Sequence, residues 1–132
     1  MATKAVQYIS YPQAVRIHIE LMRALGEIRY GVSDRTLIES ALARAPQAAA
    51  YENADVLRQA ATMFYGLVKN HPWVGGNKRT ATALMRVFLR RNGFRLISTT
   101  ENNIELSLTV EADQWKTDEI EFWLRRYTAL IA

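Results

Sequence analysis

Residues 70–80 read Asn-His-Pro-Trp-Val-Gly-Gly-Asn-Lys-Arg-Thr, and the rest of the chain is best interpreted from this stretch. The pair Gly75-Gly76 predicts a turn that leads into a helix, whose first N–H groups lack partners and whose dipole is positive at that end. Lys78 and Arg79 add full positive charge there. The backbone near Gly76 and these two cations therefore predict a site for a phosphate group.

Four side chains have separate roles in this interpretation. Arg79 can bind a phosphate through two N–H groups, whereas Lys78 acts as a point charge. Asn77 can orient the loop or bind a ligand. His71 suits a proton acceptor for an incoming hydroxyl, since the ordinary pKa of histidine is about 6.5. Together they predict transfer of a phosphate-containing group. The alternative is an ordinary turn between helices with exposed charges, because Gly and Asn are common turn residues.

Composition narrows the class of protein. The 132 residues suit one domain, 1–132, and 49% of them are hydrophobic. There is no cysteine, which excludes disulfides and thiolate zinc sites and is typical of a reducing cytoplasm. No apolar run approaches a membrane span of about 18 residues, and the start does not read as a secretory leader. The net charge of +4 permits nucleic acid, nucleotide phosphates or an acidic protein as partner.

Hydrophobic periodicity predicts an all-α fold of about six helices around a central helix that covers Ala81–Leu89. Short strands at Ala5–Ile9 and Arg95–Ile97 are expected to pair with each other. Proline is expected to stop the second helix near Pro46, leaving 47–54 as a turn or connection with one extra helical turn. The expected helix starts are Ser10, Ser33 or Asp34, Asn53 or Asp55, Asn77, Thr99 or Thr100, and Thr117.

Other notable side chains have simpler interpretations. His18 lies on an apolar helix face and is expected in the core or at an interface. A basic group at the end of the fourth helix is expected to be solvated there rather than to bind nucleic acid; it comprises Arg86, Arg90 and Arg91. Three aromatic residues near the C-terminus are expected in the core: Trp115, Phe122 and Trp123.

Residues 71–81 resemble the signature of the Fic/Doc family, and specifically its death-on-curing (Doc) branch, which reads His-Pro-Phe-x-Asp-(Gly/Ala)-Asn-Lys-Arg-Thr-Ala. The resemblance covers roughly residues 5–126 and includes the segments 34–44, 87–89 and 92–94. Fic enzymes that transfer AMP have Gly where this chain has Lys78 and a second Arg where it has Thr82, so both positions favour the Doc branch. The resemblance implies a Fic fold with the motif between two core helices.

The resemblance also implies a function. Doc proteins are toxins of toxin–antitoxin pairs that transfer phosphate from ATP to a threonine of the translation factor EF-Tu and arrest protein synthesis. It implies His71, Asn77 and Arg79 as catalytic residues, and Gly76 to Arg79 as the nucleotide-binding residues. A Phd-type antitoxin inserts a C-terminal segment into the toxin. The chain has no Ser/Thr-x-x-x-Glu-(Gly/Asn) string, which serves as an inhibitory helix in other Fic proteins, so inhibition is expected from a separate chain.

Two positions depart from the Doc signature. Trp73 replaces Phe, which is acceptable for an apolar anchor under the loop. Gly75 replaces the acid that would hold Mg²⁺ at the nucleotide phosphates, and glycine has no side-chain ligand, so metal-assisted transfer is expected to be impaired. Gly75 is either natural to a weakly active member or a substitution that allows a toxic protein to be produced.

Three classes of function therefore stand in order. The first is a protein phosphotransferase, with AMP transfer as its variant. The second is a catalytically inactive helical module that binds an antitoxin peptide. The third, direct binding of nucleic acid, is suggested only by the basic charge and is expected to weaken steeply with salt.

Overall fold

The computed structural model describes residues 5–131, which confirm the expected all-α fold with six helices and one small sheet. No helix in this range is long and apolar enough to cross a bilayer. The elements are α1 (Tyr11–Ala24), α2 (Arg35–Glu52), α3 (Val56–Asn70), α4 (Asn77–Arg91), β1 (Phe94–Leu96), α5 (Thr100–Glu111), α6 (Thr117–Tyr127) and β2 (Thr128–Leu130).

Helix α3 lies at the centre of the bundle and packs against α2, α4, α5 and α6. Helix α4 is also surrounded, by α1, α3, α5 and β1, as its apolar sequence predicts. Helix α3 is nevertheless the deeper of the two, because ten of its residues are buried against six in α4. The loop between these two core helices carries the stretch 71–76, so its position is fixed from both ends.

Local capping explains where four helices begin. Ser10, Asp34, Asp55 and Thr99 each accept a hydrogen bond from a first-turn backbone N–H, which satisfies a donor that the helix leaves open. These are among the predicted starts. The sixth helix begins at Thr117, also as predicted.

The prediction that the second helix stops near Pro46 is wrong. Helix α2 continues through Pro46 to Glu52, so residues 47–52 are helical rather than a connection. Proline removes one hydrogen bond within the helix. Burial of Ala45 and Ala48 in the core stabilises the continued helix against that loss.

The predicted pairing of the two short strands is also wrong. Strand β1 pairs antiparallel with β2 at the end of the chain, with Arg95 opposite Ala129. Residues 5–9 form no strand, since the side chain of Asn92 bonds their backbone instead. Its Oδ1 accepts from the N–H of Gln7 at 2.7 Å, and its Nδ2 donates to the carbonyl of Gln7 at 3.0 Å.

The aromatic residues near the C-terminus divide into two groups. Trp123 is buried and Trp115 is partly buried. Phe122, expected in the core, is 76% exposed. The buried face of α6 is set by Ile120, Trp123 and Leu124, and the helical period directs residue 122 away from it.

Candidate active site at the start of helix α4

The loop of residues 71–76 is held by hydrogen bonds to the segment that precedes α2. His71 ends α3 in the left-handed region, with φ of 50°, and so turns the chain sharply. The carbonyl of Pro72 accepts from the N–H groups of Ser33 at 2.9 Å and Asp34 at 3.1 Å. The N–H of Val74 donates to the carbonyl of Gly31 at 2.9 Å. These contacts join residues 31–34 to the loop as one unit.

Asn77 closes the loop from the side of α4. Its Oδ1 accepts from the backbone N–H of Trp73 at 2.9 Å, and its Nδ2 donates to the carbonyl of the same residue at 3.0 Å. The sequence left two roles open for Asn77, orienting the loop or binding a ligand. Since the amide already engages the loop backbone through both ends, the geometry supports the orienting role.

Beneath the loop lies a buried group that we call the loop support: His18, Trp73, Asn77 and Thr80. The His18 ring stacks on Trp73 with centroids 4.2 Å apart. Its Nε2 accepts from the N–H of Gly31 at 3.0 Å, so Nδ1 carries the proton and donates to Thr80 Oγ1 at 2.8 Å.

The expectation that His18 is a core residue is confirmed, because the side chain is fully buried. Burial lowers the pKa of His18 to about 4. Trp73 is only 2% exposed, which fits the apolar anchor expected at that position, although its Nε1 is buried without a hydrogen-bond partner.

Above the loop is a pocket of about 450 Å³. It brings together the residues that the sequence assigned to one site, since His71 and the stretch Gly75 to Arg79 all line it. Helix α4 begins here with Gly76, which has φ of 67° and no side chain to cap the first-turn N–H groups. No acid occupies that first turn. The positive end of the helix therefore faces the pocket with its N–H groups free of a side-chain cap.

His71 is placed to accept a proton from a substrate. Its Nδ1 lies 3.2 Å from the carbonyl of Val68, and because a carbonyl only accepts, this nitrogen carries the proton in the neutral ring. That leaves Nε2 with its lone pair. Nε2 lies 3.8 Å from Glu111 Oε2, and the side chain is 54% exposed. Glu111 also accepts from Lys78 Nζ at 3.0 Å, so one carboxylate contacts both groups.

Sequence reasoning missed three charged residues of this site. Glu27 and Arg29, from the loop after α1, line the pocket, and Glu27 Oε1 lies 3.1 Å from Arg79. Glu111 is the last residue of α5. The notebook of local patterns offers no signal for them, because each is far along the chain from residues 71–79 and joins the site only through packing.

The residues present do not fit a magnesium ion held by the protein. Gly75 has no side-chain ligand, and residues 5–131 contain no cluster of three His, Cys, Asp or Glu side chains that could hold a metal. The carboxylates near the loop are already paired, Glu27 with Arg79 and Glu111 with Lys78. An acid at position 75 also lacks space, since a Cβ there would lie 2.8 Å from the carbonyl oxygen of Arg29.

The fold and pocket thus define a helical domain with an anion site at a helix start and a histidine beside it. The sequence model of the Fic/DOC family matches residues 8–89, more than half of the chain and all the residues that line the pocket. The chain belongs to the Fic/DOC family.

A curated relative gives a second similarity. The chain is 41% identical over 78 residues to Toxin Doc of Mycolicibacterium smegmatis (strain ATCC 700084 / mc(2)155). The match covers 54% of this chain and 59% of the relative, so the chain spans about three fifths of that protein's length.

Proposed function

We propose that this chain is a Doc-type toxin that transfers phosphate from ATP to a hydroxyl group of a protein. One observation carries the proposal: His71 Nε2 and the uncapped, cation-rich start of α4 belong to the same pocket. Membership in the Fic/DOC family and the similarity to a protein named Toxin Doc support the toxin assignment.

The residues of the pocket would divide the reaction between them. ATP would supply the phosphoryl group. His71 Nε2 takes the proton of the attacking hydroxyl while its oxygen bonds to phosphorus and the bond from phosphorus to the ADP oxygen breaks. Glu111, at 3.8 Å, stabilises the imidazolium that forms. Arg79, Lys78 and the N–H groups of α4 stabilise the charge that develops on the phosphate oxygens. No step is assigned to a metal ion.

The finer parts of the proposal concern substrate and partner. The Doc-like motif with Lys78 and Thr82 supports EF-Tu as the phosphorylated protein and a Phd-type antitoxin peptide as the inhibitor, both acting in the cytoplasm. An antitoxin of any type would form a complex with this chain that blocks labelling of the target.

The test is labelling of purified EF-Tu with ATP that carries the label on either the γ or the α phosphate. Incorporation from γ-labelled ATP alone indicates phosphorylation, whereas incorporation from α-labelled ATP indicates AMP transfer. The His71→Ala variant should lose at least about 100-fold of the rate, because it lacks the proton acceptor. Unchanged labelling in that variant would contradict the assigned role of His71.

Position 75 offers a matched pair of variants in the same assay and in a growth assay. Gly75→Asp supplies the missing carboxylate, and Gly75→Ala supplies the same Cβ without it. We expect Asp to raise labelling and toxicity and Ala not to raise them. The loop of residues 26–31 must shift for either, since a Cβ at 75 meets the carbonyl of Arg29. Equal behaviour of the two variants would show that the carboxylate is irrelevant.

A second candidate function, an inactive module that binds an antitoxin peptide, is favoured by the missing metal ligand at Gly75. It predicts tight binding of a Phd-type peptide with no labelling by this chain or by Gly75→Asp. Labelling by either protein that disappears with His71→Ala would rule it out.

A further inference from the structure

We propose that the pocket binds the polyphosphate of a nucleotide without a divalent cation, because Arg29, Lys78 and Arg79 supply the positive charge that a metal would bring. We call these three residues the lining cations. The inference rests on the proposed function, since it concerns the same pocket, and it starts from the lack of fit between that pocket and magnesium.

Glycine at position 75 and the placement of Arg29 depend on each other. A Cβ at position 75 would lie 2.8 Å from the carbonyl oxygen of Arg29, a distance that side-chain carbons do not tolerate against backbone. Gly75 therefore allows the loop after α1 to approach the 71–76 loop closely. The same approach places Arg29 in the lining of the pocket. An acid at 75 and this position of Arg29 exclude one another.

The charge balance of the pocket follows from that exchange. The lining contains the three cations and a single carboxylate, Glu27. Lys78 is shared with Glu111, which lies beside the pocket. Arg29 forms no ion pair with any carboxylate in residues 5–131. A guanidinium that is free to bind phosphate remains even when the other two cations keep their present partners.

Arginine is chemically suited to this substitution. Its planar N–H groups bind two phosphate oxygens at once, and arginine side chains neutralise phosphoryl charge in enzymes that transfer phosphate. The pair between Arg79 and Glu27 is mostly exposed, with side chains 60% and 43% accessible. Such a pair contributes little, so a polyphosphate with several charges can displace Glu27 from Arg79.

The experiment is isothermal titration of the full chain with ATP, once in EDTA and once in excess Mg²⁺. We expect the two Kd values to agree within about threefold, since the protein provides no ligand for the metal. Binding that appears only with Mg²⁺ would overturn the inference and leave the proposed function standing. No binding in either buffer would overturn both. Adenosine is the uncharged probe, and binding as tight as that of ATP would also overturn the inference.

Two variants test the source of the charge. Arg29→Gln should weaken ATP binding in EDTA by about tenfold, the value of one charge-assisted contact. Arg95→Gln removes the same charge from exposed β1, near the opposite end of α4, and should leave the Kd unchanged. If both variants bind alike, Arg29 is not part of the site.

A double-mutant cycle tests the link between Gly75 and Arg29. Gly75→Ala should weaken binding in EDTA by a factor similar to that of Arg29→Gln, because the new Cβ displaces the loop that carries Arg29. Adding Gly75→Ala to Arg29→Gln should cause little further loss. Fully additive losses would show that the two positions act independently, and the dependence argued above would be wrong. Circular dichroism of each variant checks that the helices are intact.

Discussion

The loop support and the lining cations lie on opposite sides of the same six-residue loop, and they are built on different principles. The support is buried, and its histidine has defined partners on both ring nitrogens. The cations are exposed at least in part, and the pairs they form are of the kind that contributes little to stability. The comparison teaches that geometry here comes from buried contacts, while charge is left accessible to a ligand.

The largest effect should come from removing the main side chain of the support. Trp73→Ala deletes a buried indole that stacks on His18, and we expect a loss of about 3–5 kcal/mol in the free energy of unfolding. Trp73→Phe keeps an aromatic ring and removes the Nε1 that has no partner, so it should cost less than about 1.5 kcal/mol. Urea unfolding measures both. Similar losses would mean that the stacked ring is not what supports the loop.

The next effect should arise at the junction between support and pocket. Gly76 has φ of 67°, and a Cβ there would lie 2.5 Å from the sulfur of buried Met22. Gly76→Ala should therefore cost about 2–4 kcal/mol from strain and overpacking together.

Gly93 provides the matched control for that variant. It also has positive φ, of 93°, but a Cβ there meets no atom within 4 Å. Gly93→Ala should cost only about 1 kcal/mol, the strain alone. Equal values for the two variants in the same unfolding assay would remove the contact with Met22 from the explanation.

Sequence predicts the two sides of the loop unequally, for a physical reason. His71, Gly76, Lys78 and Arg79 are close in the chain, so a local motif places them together, and the structure shows them around one pocket. Glu27, Arg29 and Glu111 reach the pocket only because α1, α4 and α5 pack together, and no local pattern contains that information.

The errors in the fold have the same origin. Pro46 obeys a local rule for ending helices, but packing of α2 against α3 outweighs it. Residues 5–9 have a strand-like pattern, yet the edge of β1 is paired with β2, which follows directly from α6. In both cases a weak local preference meets a specific tertiary contact, and the contact decides the structure.

A third prediction separates the two regions by pH. Burial holds the pKa of His18 at about 4, while an unfolded chain has the ordinary value of about 6.5. Between these values the unfolded state binds the extra proton, so stability falls as the pH falls. The loss due to His18 should be about 2 kcal/mol between pH 7 and pH 5.

The two histidines of the chain provide the control for this effect. His18→Asn should flatten the pH dependence of the free energy of unfolding over that range. His71→Asn, at the exposed ring beside the pocket, should retain the slope of the unaltered protein. A slope that survives in His18→Asn would assign the pH dependence to other groups and refute the role of the buried imidazole.

The smallest effect on stability should come from the charged side of the loop, where function should respond instead. Glu27→Gln breaks the pair with Arg79, and Glu39→Gln breaks a comparably exposed pair with Arg35 on α2. Both should change the free energy of unfolding by less than about 0.5 kcal/mol, as exposed pairs do. Only Glu27→Gln should tighten ATP binding, by about two- to fivefold, because it removes a carboxylate that competes with phosphate for Arg79. If Glu39→Gln tightens binding as much, the gain reflects net charge alone, and the pairing of Glu27 with Arg79 does not limit access to the pocket.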